Sequence, residues 1–207
     1  MVFVMNAPQD VFRMLIQMWP EALRVVDNNG WTPLYWVCKK RQALEKIDMM
    51  IEWFPEALST RTRIGDTPLH AAVNSPLPQV IELVARQCPA AIVMRNMNGN
   101  TPLVMAVEYG VSRETIQLFI DLNPAVVRVK NLDERTVLHS VCLKVATLET
   151  IRFLAGQWPL ASLLLDTFNN SPYDLAVHTE LDSSVLGDLI EALRDAAHAA
   201  TANSVLP

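Results

Sequence analysis

Apolar side chains recur at i, i+3, i+4 and i+7 in six places along the chain, each the mark of one buried helix face. The stripes are Phe12/Leu15/Ile16/Trp19, Ile47/Met50/Ile51/Phe54, Ile81/Val84/Ala85/Cys88, Ile116/Phe119/Ile120/Asn123 (its last place polar), Ile151/Leu154/Ala155/Trp158 and Leu186/Leu189/Ile190/Leu193. A proline follows each of the first five (Pro20, Pro55, Pro89, Pro124, Pro159) and predicts a helix stop. Twelve residues after each proline stands Thr32-Pro33-Leu34, Thr67-Pro68-Leu69, Thr101-Pro102-Leu103, Thr136-Val137-Leu138 or Ser171-Pro172-Tyr173. These copies start 35, 34, 35 and 35 residues apart, so the chain is a repeat before it is anything else.

The copy at Gly65–Ala72 states the local chemistry most fully. Gly65 allows the positive φ of a tight turn. Thr67 is an N-cap, and Pro68 sits at the first helical position, where a missing N–H costs nothing. His70, three residues past the cap, can reach back and bond it. Ala72 keeps the inner face small. Each period predicts a turn, a short helix, a loop, a longer helix, a stop and an extended link.

Gly65-x-Thr67-Pro68-Leu69-His70-x-Ala72 resembles the ankyrin repeat, whose pattern is G-x-T-P-L-H-x-A. Gly99-x-Thr101-Pro102-Leu103 with Ala106 and Gly30-x-Thr32-Pro33-Leu34 are similar; Thr136 to His139 keeps the His and loses Pro and Gly. Two departures stand out. Pro-x-Ala replaces the family's Gly-Ala after the second helix, and the Gly-His that joins the helices is absent. The resemblance implies an all-α, helix-turn-helix solenoid with hairpin-like loops between repeats. It implies one domain over 1–200: a half repeat at 1–26, repeats at 27–61, 62–95, 96–130, 131–165 and 166–200, then a disordered tail at 201–207. The half repeat and the apolar start Met1-Val2-Phe3-Val4-Met5 suggest a chain that begins inside a longer array.

Composition narrows the setting. No run of 18 apolar residues exists, and the start lacks the charged region of a signal peptide. Cys38, Cys88 and Cys142 are odd in number and lie within helical patterns, which reads as reduced core thiols. The cytoplasm is the expected location, with the nucleus as the alternative. Net charge is −5, but residues 1–63 carry +1 and residues 131–207 carry −6, and no nucleic-acid type basic patch results.

Chemistry is sparse. There is no H-E-x-x-H, no G-x-S-x-G and no glycine-rich phosphate loop. His70 and His139 share one repeat position and read as cap partners rather than catalysts or metal ligands. The expectation is a protein without enzymatic activity, cofactor or metal.

The resemblance places partner binding on the concave surface of tips and first helices. The residues assigned to it are Trp31, Lys39, Ile64, Asp66, Met97, Asn100, Tyr109, Leu132, Arg135, Phe168 and Asn170. Trp31, Ile64, Met97, Leu132 and Phe168 put one large apolar group on every tip, a pattern typical of protein-binding surfaces. The expected function is a non-catalytic protein-interaction scaffold, with a targeting or regulatory segment of a larger enzyme or channel as the alternative. Its partners would be proteins, not nucleic acid, membrane or a small-molecule substrate.

Overall fold

The computed structural model describes residues 7–40, 44–75, 77–144, 147–177 and 183–203, and these form helices and turns with no strand. The segment Met1–Met5, Arg41, His178 and the tail 204–207 lie outside the described residues.

The period is visible as a recurring unit. Short helices run over Pro33–Lys39 (α2), Pro68–Ala72 (α4), Pro102–Glu108 (α6), Val137–Leu143 (α8) and Pro172–Val177 (α10). Longer helices run over Gln9–Met18 (α1), Leu44–Trp53 (α3), Pro78–Gln87 (α5), Arg113–Leu122 (α7) and Leu148–Gln157 (α9), and Ser183–Asn203 (α11) follows α10. Residues 201–203, expected in a disordered tail, are the last turn of α11.

The caps form as their residues dictate. Thr67 and Thr136 make capping boxes with His70 and His139. Ser171 and Asp174 do the same with an acid: the Ser171 N–H donates to Asp174 Oδ2 at 2.8 Å, and the Asp174 N–H to Ser171 Oγ at 3.2 Å. Ser112 and Thr147 cap α7 and α9.

The five prolines expected as plain stops do more. Each occupies the first position of a 3₁₀ helix: Pro20–Arg24, Pro55–Ser59, Pro89–Val93, Pro124–Arg128 and Pro159–Leu163. A proline pushes its predecessor out of the α region, and Trp19, Phe54, Cys88, Asn123 and Trp158 all take extended φ near −140° to −154°. The ring, set at helical φ, then starts a new and tighter turn.

Units stack in chain order. Short helices pack in one layer, α2 on α4, α4 on α6, α6 on α8 and α8 on α10. Longer helices pack in the other, α1 on α3, α3 on α5, α5 on α7, and α9 on α11. The stripes form one continuous core, with Phe12, Ile47, Ile81, Ile116 and Ile151 at equivalent, fully buried places. Small Ala72, Ala106 and Ala176 are fully buried where short helices meet.

Candidate functional site

The links between units fold into five hairpin tips. Their first residues are Asp27, Thr62, Asn96, Asn131 and Asp166, and each side chain organises its own turn. Asp27 Oδ1 accepts the N–H of Asn29 and of Trp31 at 2.8 and 2.9 Å. Asn96 Oδ1 accepts from Asn98 and Asn100, Asn131 Oδ1 from Asp133 and Arg135, and Asp166 Oδ1 from Phe168 and Asn170. A short side-chain acceptor so placed mimics a backbone turn.

The fourth residue of every tip has positive φ: Gly30, Gly65, Gly99, then Glu134 at 59° and Asn169 at 63°. Glycine at 99 also answers a close approach, because a Cβ there would lie 2.5 Å from the Leu132 nitrogen of the next tip.

Backbone rungs join successive tips. The N–H of Arg63, Met97, Leu132 and Thr167 donates to the C=O of Asn29, Ile64, Asn98 and Asp133 at 3.0, 2.9, 3.4 and 2.9 Å. Side chains add a second row beneath. The Tyr35 hydroxyl donates to Asp66 Oδ2 at 3.3 Å, and Asn96 Nδ2 donates to Asp66 Oδ1 at 3.0 Å. Asn131 Nδ2 donates to Asn100 Oδ1 at 3.3 Å, and Arg135 Nε to Asp166 Oδ2 at 2.9 Å.

This ladder divides the eleven residues assigned from sequence. Ile64, Met97, Leu132 and Phe168 project from the tips, 56–66% exposed, and Tyr109 is exposed at the end of α6. Asp66, Asn100 and Arg135 lie in the ladder and hold the tips together. Asn170 belongs to the Asp166 turn. Trp31 does not project. It is half-buried against Tyr35 and Trp36, with ring centroids 5.1 and 5.0 Å away, and the Lys39 ammonium sits 4.6 Å over its face. Trp36 is fixed in turn by its indole N–H, which donates to Asp27 Oδ2 at 3.0 Å. The apolar row therefore has four tip members. The turn-starting residues Asp27, Thr62, Asn96, Asn131 and Asp166 were not singled out from sequence, although their 35, 34, 35, 35 spacing is written there.

A groove of about 300 Å³ lies between the third and fourth tips, lined by Asn98, Glu108, Leu132, Asp133, Arg135 and Ser140 among others. Arg135 is committed to Asp166, whose carboxylate is buried. Burial pushes the Asp166 pKa up. The Asn170 N–H, Arg135 and the Phe168 N–H outweigh it, and the group ends below the usual carboxylate value.

The two cap histidines and two of the three thiols are engaged or sequestered. His70 Nδ1 accepts the Thr67 N–H at 3.1 Å and Nε2–H donates to the Asn100 carbonyl at 3.1 Å. His139 bonds Thr136 and the Leu164 carbonyl in the same way, at 3.2 Å each. Burial lowers the pKa of both rings and keeps them neutral. Burial also pushes the Cys38 and Cys142 thiols up to about 12, far from a reactive thiolate. Among the described residues no cluster of three metal-ligating side chains occurs, and no helix is long and apolar enough to cross a membrane.

No family model matches the chain. Among solved structures, it is similar to one described as "Bd0816 Predatory Endopeptidase from Bdellovibrio bacteriovorus in complex with immunity protein Bd3460". The TM-score is 0.74 at 19% identity, over 93% of this chain and 94% of that one. Likeness at that identity carries the fold, and that structure is of a protein held in complex with a protein partner.

These findings correct the family reading. The ankyrin assignment does not stand: no family model supports it, and the structural likeness is to an endopeptidase–immunity complex. The departure noted in the sequence has a structural counterpart, since a Pro-led 3₁₀ helix occupies the place of the family's Gly-Ala in all five units. The generic non-catalytic interaction scaffold is corrected by the same finding, as is the targeting-segment alternative: the solved structure that the chain resembles is described as an endopeptidase in complex with an immunity protein.

Proposed function

We propose that this protein is the immunity-type member of an endopeptidase–immunity pair, a protein that binds a peptidase and withholds its active site. The observation that carries the reading is the likeness to a chain of such a complex over nearly the full length of both chains. Of the two roles named there, the engaged residues favour the inhibitory one. Both described histidines at cap positions spend both ring nitrogens on backbone groups, and the thiols of Cys38 and Cys142 are buried. None of these groups is placed to attack a peptide bond.

In this reading the units form an open solenoid whose tips meet the peptidase. Ile64, Met97, Leu132 and Phe168 supply apolar anchors on a rigid ladder, and Tyr109 is exposed at the end of α6. Asn100, Arg135 and Asn170 hold or flank the anchors, Asp66 braces them from below, and Lys39 covers the packed Trp31. No cofactor or metal takes part.

Titration of an endopeptidase with this protein tests the proposal, with Bd0816 and the peptidase that co-purifies with this chain as probes. Activity should fall to zero at a fixed molar ratio, and Leu132→Ala with Phe168→Ala should weaken the inhibition at least tenfold. Hydrolysis of peptides by this protein alone, abolished by Cys38→Ala, Cys142→Ala or His139→Gln, would reverse the assignment of roles.

A further inference from the structure

The groove between the third and fourth tips holds an acid that no neighbour answers. Glu108 is exposed at the last position of α6, the end of a helix where the dipole disfavours a carboxylate. Among the described residues it makes no ion pair. The equivalent places of other units hold Lys39, Asn74 and Leu143, so the acid belongs to this groove and not to the repeat. Asp133 lines the groove too. Arg135 is the one cation among the lining residues, and it is already divided between two acids. Its Nε lies 2.9 Å from Asp166 Oδ2, and a terminal nitrogen lies 3.5 Å from Asp133 Oδ2. With Glu108, Asp133 and buried Asp166 set against Arg135 alone, negative charge is in excess. Leu132 and Leu143, 66% and 39% exposed, give the groove apolar walls.

We propose that this groove is the socket for one long cationic side chain, arginine or lysine, of the bound peptidase. The identity of the partner rests on the immunity reading above; the chemistry of its side chain rests on the groove alone. Arginine and lysine are apolar along the stem and charged only at the head. The stem would lie on Leu132 and Leu143 while the head meets Glu108 and Asp133, so each part faces its own complement. An anionic side chain would meet like charge there, and a neutral one would leave Glu108 unanswered. A hydrated metal ion would gain nothing from two leucines, and no trio of metal ligands gathers among the described residues. Leu132 is also one of the projecting tip side chains, so a protein packed on that anchor lies at the mouth of the groove.

Two measurements test this, and they fail separately. In the first, the isotope-labelled full chain is titrated with N-acetyl-arginine amide, N-acetyl-lysine amide and the neutral N-acetyl-citrulline amide, and amide chemical shifts are followed. The two cations should shift Leu132, Asp133 and Ser140, citrulline should not, and Glu108→Gln should remove the shifts with helical circular dichroism unchanged. In the second, inhibition of the co-purifying peptidase should weaken about tenfold in Glu108→Gln, and the deficit should shrink as salt is raised. Glu134→Gln, whose carboxylate pairs with Lys130 away from the groove lining, should leave both measurements as they are. Absence of shifts with both cations, or equal shifts with citrulline, would overturn the socket whatever the peptidase does. A peptidase inhibited equally by the wild type and by Glu108→Gln would overturn its use in the complex. A peptidase that the wild type does not inhibit would overturn the immunity reading and the named partner, while the titration still decides the socket.

Discussion

His70 ties its own unit to the next: one ring nitrogen takes the Thr67 N–H and the other donates to the carbonyl of Asn100, 30 residues on. His139 repeats the arrangement with Leu164. Only the neutral ring can do both, since Nδ1 must accept while Nε2–H donates. Burial holds both folded-state pKa values below 6.5, so in that interval the unfolded chain binds more protons than the folded one. Stability is therefore complete above the unfolded value near 6.5 and falls as pH drops from there towards the folded values. Urea midpoints should decline from pH 7.5 to 5.5. The double variant His70→Gln/His139→Gln, which keeps a capping-box residue type, should lose most of that decline.

Gly99 and Gly110 separate two costs of a side chain. Both have positive φ, at 77° and 69°, but a Cβ at 99 would meet the next tip's backbone and one at 110 would meet nothing within 4 Å. Gly110→Ala should cost about 1 kcal/mol for the conformation alone. Gly99→Ala must also part the third and fourth tips, and should cost about 3 kcal/mol or more by chemical denaturation.

Caps, stripes and the period were legible in the sequence because they are local: Thr67 and His70 need only three residues of chain to find each other. The 3₁₀ helices were not. Pro20 or Pro55 forbids continuation of the preceding helix, yet the same ring suits the first position of a new turn, and the sequence signal for the two is identical. Trp31 was misplaced for another reason. Its position varies freely in the other units, and what draws it inward is Tyr35 below it, itself held by Asp66 from the next unit. Such a contact has no local signature.

Burial of the thiols gives a direct check on the proposed role. Cys38 and Cys142 should react with iodoacetamide in the native state far more slowly than in urea, with half-buried Cys88 the fastest of the three. Mass spectrometry of quenched time points resolves the sites. Rapid labelling of Cys38 or Cys142 at pH 7 would reveal a thiolate that the buried geometry does not allow.

Tip residues should divide by burial when truncated. Met97→Ala and Leu132→Ala remove side chains that are two-thirds exposed, and should change stability by less than about 0.5 kcal/mol. Trp31→Ala removes a packed indole and the seat of the Lys39 ammonium, and should cost about 2–3 kcal/mol. Burying a charge among the short helices with Ala72→Arg or Ala106→Arg should cost still more, several kcal/mol. Urea denaturation ranks the set, and equal losses at Met97 and Trp31 would contradict the division between projecting and packed tip residues.

Asp166 makes the sharpest test of the turn ladder, because the chain supplies its own control. Its Oδ1 accepts from the N–H of Phe168 and of Asn170, and its Oδ2 takes the Arg135 guanidinium. Asn96 and Asn131 hold the equivalent turns with a neutral side-chain oxygen. Asp166→Asn therefore keeps the turn and loses only the ion pair with a partly solvated Arg135, a loss of about 1 kcal/mol. Asp166→Ala strips the acceptor from two backbone donors and should cost about 3 kcal/mol. The pH dependence separates them again. Asp166 is held below its ordinary value, so its contribution is present above about pH 4 and is lost as pH falls through the folded pKa. Acid unfolding of Asp166→Asn should lack that part of the transition, whereas an unchanged acid limb would show that the carboxylate does not brace the fifth tip.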